Sequence, residues 1–453
     1  MSAAEHDVVI VGAGIAGLTA ARQLQDLQPV VLEAEDRVGG RILSLQRGDL
    51  ALSVGAHMFP PPDSVVGRMA AELGLDVLPI TGSMLNVYYR GRLVRDRRPE
   101  LLPFLLPLSP LGRLSFARAG LRVRRSGDEF MRLSRPRAGD TDASIRLRTL
   151  RYHGDETFAE FLGPLHPEAF TIFQALANRS TAEPAEISQS AMAALFGHVW
   201  DSGDLGRNMR GGSGRLPEAL GAELSGCVRL RTKVQEVVLE PDGVRLRTST
   251  GQELRSRTAI VAVPAPAAAE IIRGVQPDVR SALGQIRFGP LVVLSVRTTE
   301  REPMPWDGLY SILTPDKTFN MFFNHANFLS GAGAEKDGSV LMVYAGGDRG
   351  RRLLGKSDDE IEALFLADIE SMFPGTGRLV AETLVKKWPH AGPFAAPGRW
   401  RVQETLEQGA GGRLFFAGDW VSEFVSMETA ARTAVDAAAA ARRALASAST
   451  VGR

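Results

Sequence analysis

The chain has 453 residues, 44% of them hydrophobic and 23% charged, with a formal net charge of +1. That length buries a large core and predicts two domains, and the even charge balance supplies no whole-molecule field to gather nucleic acid. A single cysteine, Cys227, excludes an internal disulfide and fits a reducing compartment; no apolar run reaches the ~20 residues a spanning helix needs, and the first strand begins too early for a signal peptide, so the composition predicts a cytoplasmic protein.

Residues 7–11 read as a strand, 12–17 as a glycine turn, the Ala/Leu-rich stretch to about 27 as a helix, and 30–33 as a second strand. In Gly12-Ala13-Gly14-Ile15-Ala16-Gly17 the first glycine allows a tight turn and the second lets backbone approach a pyrophosphate. The third lets helix and strand pack closely, and the helix N-terminus faces the negative charge. Glu33 stands twenty-one residues after Gly12, at the end of the second strand, where a carboxylate accepts ribose hydroxyls, with Ala34 beside it. A lone glycine motif is weak; strand, turn, helix, strand and terminal acid together specify a dinucleotide-binding unit. Asp36-Arg37-Val38-Gly39-Gly40-Arg41 follows: two glycines bring backbone close to a cofactor, and Arg37 or Arg41 offsets phosphate charge.

From about 88 to 204 the periodicity is mostly helical, with amphipathic stretches at 157–162 and 168–177. Residues 90–151 hold sixteen arginines against six acids, so +10 in a chain that totals +1, and enclose the apolar, proline-punctuated run 101–108. Three readings stay open: a solvated basic face beside a loop, a patch docking on an anionic membrane surface, where each basic residue adds about 1 kcal/mol, or a subunit interface. Strands return at 228–239 and 244–250, a hairpin around Pro241-Asp242-Gly243, and at 258–263; more follow at 291–297 and 340–344. The chain ends in a short strand at 413–417 and an alanine-rich helix at 427–445. Neither an internal repeat nor a second strand-linked G-x-G-x-x-G occurs, which argues against an NAD(P)H partner. With no C-x-x-C, H-E-x-x-H, G-x-S-x-G or P-loop, dithiol, metal-hydrolytic, acyl-transfer and phosphoryl-transfer chemistry lack their residues and no metal is expected.

The glycine turn running on into R-x-G-G-R at Arg37–Arg41 resembles the flavoprotein superfamily of monoamine oxidases, protoporphyrinogen oxidases and phytoene-type desaturases. Gly211-Gly212-Ser213-Gly214-Arg215-Leu216-Pro217, Lys233-Val234-Gln235, Phe416-Ala417-Gly418-Asp419-Trp420 and Ser426-Met427-Glu428-Thr429-Ala430-Ala431 carry the likeness through the chain. It implies an α/β protein: a Rossmann-type FAD-binding domain with a parallel sheet (1–85, 205–285, 390–453), interrupted by a mixed α+β substrate domain (86–204, 286–389). It further implies non-covalent FAD, with Val234 at the adenine, Gly418 and Asp419 at the ribityl–pyrophosphate, and the helix beginning at Met427 aimed at the flavin ring, where its dipole stabilises negative charge. Thr429 departs from the family's usual glycine.

For the substrate side the resemblance implies that Gly55-Ala56-His57-Met58-Phe59 runs past the reactive edge of the flavin, in a G-x-H-x-F form similar to carotenoid desaturases. His57 is a candidate for moving a proton near neutral pH. Trp388, in Lys387-Trp388-Pro389-His390, is a candidate wall of the cavity, and His390 a weaker one. The lysine that many amine oxidases of the superfamily carry on the strand corresponding to 288–295 is missing, so a mainly apolar cavity formed by 55–59, 291–295 and Trp388 is expected. These features predict removal of two hydrogens from a hydrophobic small molecule, C–C desaturation before C–N oxidation, with oxygen or a quinone as acceptor. An amine oxidase lacking the lysine, an FAD-dependent isomerase or cyclase without net redox, and a flavin-binding protein without chemistry are the alternatives. The sequence leaves the oligomeric state open.

Overall fold

A computed structural model describes residues 6–95, 98–197, 206–327, 329, 338–422 and 425–450. The strand His6–Val11 lies between two parallel partners, Val30–Leu32 on one side and Glu253–Val261 on the other. Val228–Arg229 and Leu414–Phe416 extend this parallel core outward, also in parallel. Val8, Val9 and Ile10 are wholly buried, because helices cover both faces; such strands read as continuous β-branched runs rather than alternating ones. The hairpin Val234–Glu240 and Gly243–Thr248 and the short strand Ile272–Arg273 complete eight strands.

Helix Ile15–Gln23 packs on this sheet against the C-terminal helix Met427–Thr450. Ala430, Ala431, Ala434, Ala438 and Ala441 form the buried stripe of that second helix; their small side chains let two helices share one sheet face. The start of Ile15–Gln23 is tighter still. A β-carbon at Gly17 would lie 1.8 Å from the Gly12 carbonyl oxygen, so only glycine lets the helix begin so close to the strand it follows.

The second sheet has seven strands in the order Val380–Phe394, Arg287–Thr298, Val340–Gly346, Met321–Asn324, Ser311–Leu313, Asn86–Tyr89, Arg92–Arg95. All neighbours are antiparallel except Ser311–Leu313 with Asn86–Tyr89. Side chains alternate between two cores. Val292, Leu294, Leu341, Val343 and Phe322 join the core that includes helix Asp358–Met372. Val293, Met342, Tyr344, Met321 and Phe323 face the other way, toward helices Pro110–Leu133, Phe158–Leu162, Pro167–Arg179 and Gln189–Gly197. The amphipathic stretch at 157–162 becomes Phe158–Leu162, with Thr157 and Glu160 forming a capping box.

The structure departs from the sequence reading in two places. Residues 228–239 are two strands, Val228–Arg229 and Val234–Glu240, not one. Between them Arg231 takes a φ of 53°, and the chain wraps the end of the second strand: Glu33 N–H donates to Arg229 O, Thr232 N–H to Glu33 O and Arg231 N–H to Glu35 O. The strand Val380–Phe394 runs past the division expected at 389/390. The end of the helical section expected up to 204 lies outside the described residues, among which no helix is long and apolar enough to cross a membrane.

Gly17→Ala is expected to destabilise the protein by about 1–3 kcal/mol through overpacking of the turn; a denaturant midpoint equal to the parent's would contradict the close approach.

Candidate functional site

The parallel strands end on one edge of the first sheet, and there the segments singled out from the sequence meet. At Gly14 an added β-carbon would meet nothing within 4 Å, so the turn's outer face is open. Helix Ile15–Gln23 starts there with no side-chain cap, leaving its first amides, at Ile15, Ala16 and Gly17, to favour an anion. Glu33, buried, accepts from Ala13 N–H at 2.7 Å and Glu35 N–H at 2.9 Å. Two amides orient the carboxylate beside the turn, and its remaining lone pairs are available to hydroxyl donors. Val234, also buried, is the first residue of the strand leaving the wrap around Glu33, next to a register shift before Glu236. This cradle fits the adenosine and pyrophosphate of FAD: an open glycine turn, uncapped amides and a buried, oriented carboxylate.

The two arginines, one or other of which was expected to offset phosphate charge, are held in different ways. Arg37 turns back onto Val38 O (3.1 Å) and Gly40 O (2.8 Å), bracing the Gly39-Gly40 bend. Arg41 makes a two-point pair with Asp419 at 2.7 and 3.0 Å and also donates to Ala391 O. Its charge is therefore matched within the protein, which leaves the turn amides and Arg37, whose two bonds go to carbonyl oxygens, to compensate a diphosphate. Gly55 sits against Arg41: a β-carbon would lie 2.2 Å from Arg41 O, and Ala56 N–H donates to that same oxygen at 3.0 Å. Gly418 N–H donates to Thr433 Oγ1 at 2.9 Å, which anchors the bend carrying Asp419 to the C-terminal helix. At the start of that helix, beside Met427, Ser426 Oγ accepts Thr429 N–H, while the Glu428 carboxylate accepts the Val65 and Val66 amides and so caps helix Val65–Glu72.

Beyond Gly55 the chain enters a cluster of rings. His57 Nδ1 lies 3.2 Å from Gly55 O; a carbonyl only accepts, so Nδ1 carries the proton and Nε2 is the basic atom. The His57 ring meets Phe323 edge-on at 5.1 Å and His325 at 4.4 Å between centroids. Tyr310 stacks on His325. Asn208 is oriented to donate to His57 O at 2.8 Å and to accept the Tyr310 hydroxyl at 3.2 Å. His57, His325, Asn208, Ser53 and Ser213 line a chamber of about 20 Å3, the scale of one water. Among the described residues, His57 Nε2, His325 Nε2 and Ser213 Oγ are buried there without hydrogen-bond partners.

Burial lowers the His57 imidazole to about 4, with the positive charge of Arg179 adding to the effect. Burial and the His57 ring hold His325 well below the usual histidine range. His57 therefore does not titrate near neutral pH, as its type suggested: both rings are neutral there, because a charged imidazole would lose its hydration without gaining an anion. Burial raises the Tyr310 and Tyr344 hydroxyls, with the positive charge of Arg179 acting the other way on both.

Trp388 is a half-buried neighbour of this cluster. Its Nε1–H donates to Val54 O at 2.6 Å, and it pairs across strands with Leu291. His390 is exposed, against Phe288. To the segments expected to line the cavity, 55–59, 291–295 and Trp388, strand Met321–Asn324 and the residue after it add Phe323 and His325, which meet His57. No motif marks that segment. Lys386 was missed as well. It pairs with Val293 across strands, and its Nζ lies 4.8 Å from the Trp388 ring centre; Lys387, on the opposite face, pairs with Asp358. Sequence shows two adjacent lysines and not which one shares the Trp388 face. A larger cleft of about 320 Å3 opens between Phe130, Ile145, Leu150, Ala194, Ala395 and Arg432.

The family described as "Flavin containing amine oxidoreductase" matches residues 15–442. The chloroplastic protoporphyrinogen oxidase of Nicotiana tabacum is 24% identical, over 93% of this chain and 82% of that protein. The L-amino-acid oxidase of Siganus canaliculatus is 26% identical, over 96% and 84%. The structure of cyclohexylamine oxidase from Brevibacterium oxydans superposes with a TM-score of 0.74 at 19% identity, covering 97% of this chain and 99% of that one; at that identity the likeness is one of fold.

Glu33→Gln is expected to weaken FAD binding about tenfold to a hundredfold, the roughly 1.5–3 kcal/mol of a charge-assisted hydrogen bond; an unchanged affinity in a fluorescence titration would remove Glu33 from the ribose. The neutral histidines set a pH dependence of stability. Between about 6.5 and about 4 the unfolded chain takes up protons that buried His57 refuses, so stability falls as pH drops through that window. A His57→Asn/His325→Asn variant should show a flatter fall, read from urea unfolding at several pH values; an equal slope would place both rings in water.

Proposed function

The chain belongs to the flavin containing amine oxidoreductase family, and we propose that, as an FAD-dependent oxidoreductase, it removes two hydrogens from a lipophilic small molecule, desaturating a C–C bond in preference to oxidising a C–N bond. The observation that carries this reading is electrostatic. None of the residues lining the chamber at His57 is acidic, both histidines are held neutral, and the charge bearing on His57 is the positive one of Arg179. A protonated amine placed against these side chains would shed its hydration with no counter-ion among them, at a cost of several kcal/mol. A neutral polyene or tetrapyrrole-like ring gains about 25 cal/mol per Å2 of apolar surface buried against Phe323, Tyr344 and Trp388.

Bound FAD supplies the two-electron acceptor. The chain supplies the rest. Glu33 and the amides of the 12–17 turn hold the dinucleotide end; Gly55 and Ala56, fastened to Arg41, set the backbone along the ring; Trp388, fastened to Val54, walls the substrate side. His57, neutral, stands on the substrate side, where its enclosure keeps water from the reacting atoms. Oxygen or a quinone would be the final acceptor of the electrons.

One observation favours the alternative, oxidation of a C–N bond: Lys386 stands on the same face as Trp388, one strand away from where many amine oxidases of the superfamily carry a lysine. Anaerobic flavin bleaching separates the two. Hydrophobic polyenes or tetrapyrrole-like compounds are expected to bleach the flavin at rates at which simple alkylamines do not. Rapid bleaching by a small primary amine, with peroxide formed on admitting air, would overturn the C–C reading.

A further inference from the structure

Helix Pro110–Leu133 is apolar on two faces. Gly112, Phe116, Ala119, Val123 and Ser126 are buried against the protein. On the outward face Leu111 is 70% exposed, Leu114 48% and Leu121 51%, and Phe104, in the preceding short helix Leu102–Leu105, is 64% exposed. These are four of the nine large hydrophobic side chains exposed among the described residues, so they are a cluster and not the usual scatter. Positions 111, 114, 118, 121 and 125 recur at helical spacing and form one stripe, about 21 Å long at 1.5 Å per residue. Arg118 and Arg125, both exposed, complete it, and neither has an ion-pair partner among the described residues. The segment carrying Phe104 lies along the same helix, tied by the Arg124–Glu100 pair at 2.7 Å.

We propose that this stripe is a docking surface for an anionic lipid bilayer, on which the protein lies without spanning it. Leucines alternating with unpaired arginines on a single outward helix face match the two layers of a bilayer interface: the leucines reach the acyl boundary while the guanidinium groups stay among the phosphates. Charge selects this partner. The stretch 90–151 carries sixteen arginines and six acids in a chain whose total is +1; some of these arginines are paired elsewhere, Arg90 with Glu168 and Arg146 with Glu407, while Arg118 and Arg125 lie on the stripe itself, and each basic residue near an anionic surface adds to binding. A second copy of the chain would bring the same arginines to meet these, and like charges oppose that contact.

The test uses the FAD-loaded protein and sedimentation with vesicles of phosphatidylcholine alone or mixed with phosphatidylglycerol. Binding is expected to the mixed vesicles, weakening as salt rises, and at least about tenfold weaker to phosphatidylcholine. Leu111→Ser/Leu114→Ser/Leu121→Ser should lose vesicle binding, and Arg118→Glu/Arg125→Glu should lose the preference for anionic lipid. Both should keep the parent's FAD content and melting temperature, which separates lost docking from lost folding. Failure of the parent to bind either vesicle, binding unchanged in both variants, or a parent dimer that the leucine substitutions dissociate would each overturn the proposal.

Discussion

The missing side chain at Gly17 is the constraint on which the cofactor side of the molecule depends. With the Gly12 carbonyl where a β-carbon would stand, helix Ile15–Gln23 starts directly off the central strand and its uncapped end stays on the edge where the parallel strands finish. Glu33 ends the adjacent strand and reaches back to the Ala13 amide at 2.7 Å, so turn and carboxylate are positioned by one local arrangement. A bulkier residue would push the helix away from the strand and separate the two.

Distant parts of the chain are then fastened to that edge by polar contacts. Arg41 and Asp419 are 378 positions apart and pair through two hydrogen bonds, with the Asp419 side chain only 8% exposed. Removing either partner would leave a charge poorly solvated, so the pair constrains geometry more than its net stabilisation suggests. Glu428 performs a similar task by capping a helix from the other end of the chain. The C-terminal helix thereby carries the bend at Gly418 to the edge begun by the first forty residues.

The substrate side follows a different logic. Its cluster of rings is assembled by register: Met321–Asn324 against Val340–Gly346 and Ser311–Leu313 brings Phe323, His325, Tyr310 and Tyr344 to His57. Enclosure keeps both imidazoles neutral, because a proton taken up there would be neither hydrated nor paired with an acid. The surroundings this makes are water-poor and carry no acid among the chamber's lining residues, in keeping with a substrate held by apolar area.

The sequence by itself determined the family likeness, the α/β fold and the FAD cofactor, because those rest on short-range patterns: a glycine turn, an acid twenty-one residues on, a second glycine pair and a helix start at Met427. Turn geometry and helix ends are local physics, and residue types at fixed spacing express it. Only the tertiary structure decided that Arg37 braces its own loop, that Arg41 is matched by Asp419, that 228–239 breaks around Glu33, and that His325, not an aliphatic strand, meets His57. It also decided that Lys386 shares the Trp388 face while Lys387 takes the opposite one, and that Leu111, Leu114 and Leu121 point away from the core. Each of these depends on strand register or on which helix face finds a partner, and both are set by contacts between segments far apart in the chain, where spacing along the sequence carries no signal.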